Sequence, residues 1–142
     1  MQVLRRLLPW LLRLGLPLIS AQVAWADTQA TVIEAKGRIV FISGMTSRRP
    51  DGTIAGVGDI EAQTHQVCQN VKAAVEAAGG TMDDICRVDV YVRNMEHFKE
   101  IHAVRQEYFK PPLPASTMVE ICKMTSPDYL IEINAIAVIA TK

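Results

Sequence analysis

The sequence predicts an α+β fold, a single mixed sheet with two helices packed on one face. Three observations carry this. Stretches alternating apolar and polar residues recur near the start, in the middle and at the end of the chain. Two stretches with apolar residues at helical spacing separate them, and the boundaries fall on Gly, Pro, Asn or Asp. The chain has 142 residues, 49% of them hydrophobic, enough for one domain with a real core and too short for a second. The expected order is strand, strand, helix, strand, helix, strand, strand.

Residues 1–26, MQVLRRLLPWLLRLGLPLISAQVAWA, combine a basic start, an apolar middle and Ala24-Trp25-Ala26 before Asp27. They read as a cleavable secretory signal with Leu14 to Val23 as its apolar core, or as an N-terminal extension or helix interrupted by Arg13 and Pro17. A signal implies an exported, periplasmic product; an extension implies a cytoplasmic one. Neither apolar piece reaches the roughly 20 residues of a comfortable membrane span, so no stable membrane association is expected after processing.

The remaining domain is residues 27–142. Thr31 to Lys36 and Arg38 to Ser43 read as a hairpin around Gly37. Ser47 to Gly58, SRRPDGTIAGVG, is a loop by its turn chemistry, Pro50-Asp51-Gly52 above all. Long loops on a rigid scaffold often carry function, so Arg48 and Arg49 are candidate anion contacts, or else two solvated arginines beside a turn. Asp59 is suited to N-cap a helix whose stripe is Ile60, Val67, Val71, Val75 and Ala78, and Gly79-Gly80 end it. His65 falls on its polar side, as a surface residue. Thr81 and Asp84 resemble a short capping box leading into a strand, Ile85 to Arg93, with Val88, Val90 and Val92 as its core side. Asn94 caps a second helix with the stripe Phe98, Ile101, Val104 and Tyr108, ended by Lys110-Pro111-Pro112.

Pro114 to Lys142 then reads as two strands joined by a turn. Period two places Ser116, Met118 and Glu120 on one side of the first, and Glu132 and Asn134 on one side of the last. Carboxylates among apolar neighbours are costly to bury unpaired, so these sides are expected to meet water, a ligand or another subunit. Tyr91 and Arg93, Met118 and Glu120, and Leu130 and Ile136 add up to more surface than two helices cover. Oligomerisation would bury it and let Glu120 find Arg87 or Arg93 across the boundary.

Fifteen basic and fifteen acidic residues cancel overall, but Arg5, Arg6 and Arg13 lie in the first 26 residues, leaving twelve basic against fifteen acidic, a net of −3. Such a domain lacks the basic footprint of a nucleic-acid binder. Cys68, Cys86 and Cys122 read as small buried thiols in a helix and two strands, with no metal-ligand spacing. No metal or cofactor is expected.

PASTMVEI followed by IEINAIAV, with IVFISG, QNVKAAVEAAGGTMDDI and VDVYVRNMEHF upstream in the same order, resembles the RidA/YjgF family over about residues 31–140. The resemblance implies a chorismate-mutase-like fold, a homotrimer whose sheets surround a central barrel, and cofactor-free hydrolysis of small enamine or imine carboxylates such as 2-aminoacrylate, releasing ammonia. It assigns Glu132 the positioning of water; the alternative is a strand glutamate facing a solvated cleft. Ser43 and Gly44 match the Ser-Gly whose backbone lies near the ligand, or else are turn geometry. Met118 would contribute its main-chain carbonyl. The deaminase pattern carries an arginine directly after Pro-Ala, to grip the substrate carboxylate, and this chain has Ser116 there. The usual aromatic aligns with Ala30. The asparagine of the second helix aligns with His102, a proton donor near neutral pH or an exposed helix histidine. TSRRPDGTIAGV is similar to the loop of the 2-aminomuconate deaminase branch, which would let Arg48 or Arg49 replace the missing cation from a neighbouring subunit. The competing expectation, from Ser116, is a non-catalytic trimer that binds a small acid or a protein.

Overall fold

A computed structural model describes residues 36–140. The signal-like segment 1–26, Ala30 and residues 31–35 of the strand expected at Thr31 to Lys36 lie outside the described residues. The elements are β1 (Gly37–Met45), α1 (Ile60–Ala77), β2 (Ile85–Val92), α2 (Phe98–Tyr108), β3 (Ala115–Glu120) and β4 (Ile131–Ala140). Short 3-10 turns, Met82–Asp84 and Met95–His97, lead into β2 and α2. They form one mixed sheet in the order β1-β4-β2-β3, β2 parallel to β3 and antiparallel to β4. The expected α+β class holds, with two helices over the sheet.

Local chemistry explains the boundaries. Asp59 accepts a hydrogen bond from the Ala62 amide and opens α1, and Gly79 at φ 85° closes it in the left-handed region glycine enters freely. Asp84 accepts from both the amide and the hydroxyl of Thr81. Asn94 caps the 3-10 turn before α2, where it accepts from the Glu96 amide. Val67, Cys68, Val71 and Val75 of α1 and Ile101 of α2 close over Val88, Val90, Val92, Ile131, Ile133 and Ala137, all in one apolar core.

Several expectations need correction. Gly37 is no turn; it pairs with Ala140 inside β1. The two C-terminal strands do not pair, because β2 lies between β3 and β4. The register sets Val90 beside both Met118 and Ile133, and Tyr91 beside both Val119 and Glu132. Met118 therefore packs towards the core and Glu120, on the same side, accepts from the Met95 amide at 2.8 Å. These two do not belong to the uncovered side, and Arg87 pairs with Asp89 of its own strand at 2.8 Å. Ile85 rather than Cys86 enters the core because the register shifts between Ile85 and Arg87. Phe98 is exposed and stacks on His102, His65 is half-buried against the Tyr108 hydroxyl at 3.0 Å, and Cys122 is exposed in the loop after β3.

The opposite side of the sheet has no helix over it in the described residues. Ile39 and Phe41 stand 62% and 77% exposed there, with Val119 at 41% on the far edge.

Candidate functional site

Glu132 lies on that uncovered side, because its neighbours Ile131 and Ile133 point into the core. Opposite it, β1 breaks register: Ile42 pairs with Ala135 and Met45 with Ile133, so Ser43 and Gly44 together face Asn134. This is a bulge, a device that re-aims side chains at a strand end. A Cβ on Gly44 would fall on Oε1 of Glu132 and lie 2.8 Å from its Cδ. The missing side chain is thus what lets the carboxylate lie across the β1 backbone. Three sequence candidates, Ser43, Gly44 and Glu132, come together here. Tyr91 stands opposite Glu132 in the β2–β4 register, and Asn134 Oδ1 is sealed nearby on the same side without a partner.

The other candidates are elsewhere. Ser116 and Met118 lie on β3, separated from β4 by β2, with Ser116 turned towards α2. Its hydroxyl accepts from Arg105 Nη2 at 2.8 Å. Arg105 is half-buried, its guanidinium carbon 5.8 Å from the Phe109 ring centroid, and burial pushes it below the ordinary arginine value. Sequence reading missed Arg105. Its position one residue beyond Val104 on the apolar stripe was the available signal. His102, one turn earlier, is exposed, within 3.1 Å of Gln106 Nε2.

Arg49 is engaged by its own loop, donating to Thr53 Oγ1 at 3.3 Å and to the Ile54 carbonyl at 3.4 Å. Arg48 is exposed and lies against Gly52. The loop is pinned to α1: Asn70 donates to the carbonyls of Thr46 and Arg48, both at 2.8 Å. Buried Gln63 donates to Gly56 and Asp128 carbonyls and accepts from the Leu130 amide, which also fixes where β4 begins. Among the described residues no group of His, Cys, Asp and Glu is arranged to hold a metal, and no helix is long and apolar enough to cross a membrane.

Fold and site geometry define a small α+β protein of one recognisable class. The model of the Endoribonuclease L-PSP family matches residues 20–139, and the chain belongs to that family, the group of RidA/YjgF proteins. A RutC family protein of Pyrococcus horikoshii is 41% identical over 101 residues, covering 71% of this chain and 79% of that protein. The YjgF gene product of E. coli superposes with a TM-score of 0.65 at 32% identity, covering 84% of this chain and 93% of that one. RidA from the Antarctic bacterium Psychrobacter gives 0.68 at 28%, covering 85% and 94%.

Proposed function

We propose that this chain is a cofactor-free hydrolytic deaminase of small enamine or imine carboxylates, of the 2-aminoacrylate or 2-aminomuconate type. The seating of Glu132 in the Ser43-Gly44 bulge carries the reading. It sets a carboxylate against the β1 backbone on the uncovered side of the sheet, beside Tyr91 and Asn134, where it can accept a proton from water and aim the oxygen lone pair. Water adds to the imine carbon, forming the C–O bond. Proton transfer to nitrogen makes it a leaving group, and C–N cleavage releases ammonia and leaves the oxo acid. His102, Arg48, Arg49 and the Met118 carbonyl remain candidates for substrate contact.

The exposed Ile39, Phe41 and Val119 support a homotrimer in which this side is covered and the cleft lies between subunits. The test of function is ammonia release from freshly generated 2-aminoacrylate and from 2-aminomuconate by residues 27–142. Rates equal to buffer on both substrates overturn the reading. Ser116 favours one alternative, a non-catalytic trimer that binds a small acid. Binding of an oxo acid without any ammonia release would establish it.

A further inference from the structure

We propose that Arg105 of α2 and the Ser116 hydroxyl of β3 together bind the carboxylate of the ligand. The inference rests on the reading of the ligand as a small carboxylate in a cleft between subunits. Ser116 and Glu132 lie on opposite sides of the sheet in one chain, so the carboxylate held here meets the Glu132 of a second copy.

A half-buried guanidinium is costly unless an opposite charge or several acceptors satisfy it. Among the described residues Arg105 has neither. The ion pairs Lys72–Glu76 and Arg87–Asp89 do not touch it. Its Nε is sealed from solvent without an acceptor, so compensation falls to the terminal amino groups, one of which reaches Ser116. The Phe109 ring beneath it holds the guanidinium without neutralising it. A residue that stays charged at neutral pH, with no counterion among the described residues, suits an incoming anion.

Ser116 completes the pair. Its oxygen accepts from Arg105, which leaves its own proton to donate, and one oxyanion can take both a charged N–H and a neutral O–H. β3 is the edge strand of the sheet, so a ligand approaches without breaking strand pairing. One guanidinium matches one negative charge, which favours a monocarboxylate over a phosphate. Arg49, by contrast, already spends its guanidinium on Thr53 and Ile54.

The experiment titrates 2-oxobutanoate, and its neutral amide as control, into the assembled protein by calorimetry, alongside steady-state kinetics on 2-aminoacrylate. Wild type should bind the acid and not the amide. Arg105→Gln should weaken binding about 10- to 100-fold and raise KM more than it lowers kcat. Arg105→Lys, which keeps the charge, should lose less. Adding Ser116→Arg to Arg105→Gln should restore much of the affinity, which no purely structural role of Arg105 would allow. Light scattering and circular dichroism confirm that each variant is assembled. Acid binding that depends on Arg105 supports the proposal even if no ammonia is released, in which case only the deaminase reading fails. Ammonia release with KM unchanged in Arg105→Gln overturns it, as does a wild type that binds neither acid nor amide.

Discussion

The two sides of the sheet are made by the same strands and the same alternation, yet they end in different states. Towards the helices, Val88, Val90, Val92, Ile131 and Ile133 are all buried. Away from them, Phe41 and Ile39 stand open opposite Ile136 and Val138, on the side that also carries Glu132 and Tyr91. The first side is explained by the chain alone. The second is satisfied by nothing among the described residues, and it carries the carboxylate. Apolar surface without a cover, on the same side as a carboxylate, is what supports the proposed site between subunits.

The sharpest way to break the comparison is at Glu132. Glu132→Gln keeps the shape and removes the proton acceptor, so ammonia release should fall about 100- to 10,000-fold, the usual range for a positioned acid or base. Stability should change little, because the residue is outside the core. A fall in activity matched by a fall in melting temperature would instead make Glu132 structural.

Next comes a pair of truncations, one on each side. Ile133→Ala empties buried volume and should cost about 2–5 kcal/mol by denaturant titration. Phe41→Ala, at 77% exposure, should leave the protomer's circular dichroism unchanged and shift the light-scattering mass downwards. Equal losses of stability from both would mean that the two sides are not distinct.

Periodicity was enough to place every helix and the sheet strands within the described residues, because alternation and helical spacing are local. It also put Glu132 opposite Ile131 and Ile133. Pairing is non-local. Nothing in Ser116 to Asn134 says that β2 is inserted between the last two strands, and with that insertion the polar sides of β3 and β4 face opposite ways. For the same reason Met118 and Glu120 were expected in the open. Arg105 was hidden by its own charge: a polar residue beside an apolar stripe reads as solvated until the Ser116 contact is seen.

Gly44→Ala tests how the uncovered side is built. The new methyl would occupy the place of the Glu132 carboxyl, which must swing away or force the bulge open. Activity should drop about 10- to 100-fold through misplacement alone. The fold should survive, since Gly44 has no positive φ to lose and is exposed. Unchanged kcat would mean that the carboxylate is not used where it lies.

The cysteines sharpen the comparison on a smaller scale. Cys68 is sealed in the layer under the helices, and burial pushes its thiol up to about 12, while Cys122 is exposed. At mildly alkaline pH a thiol reagent should label Cys122 first, Cys86 slowly and Cys68 only on unfolding. The pH dependence has a fixed sign. The folded state favours the protonated thiol, so its contribution is fully present below the unfolded value near 9 and is lost as pH rises towards 12. By about pH 10 the loss should be roughly 1 kcal/mol. Lysines and tyrosines also titrate in that window, so the readout is the difference between wild type and Cys68→Ala. The substitution lowers stability by a constant amount and should flatten the alkaline slope. Parallel curves would show that the layer beneath the helices admits enough water to ionise the thiol, and the contrast between the two sides would then be one of hydration rather than of cover.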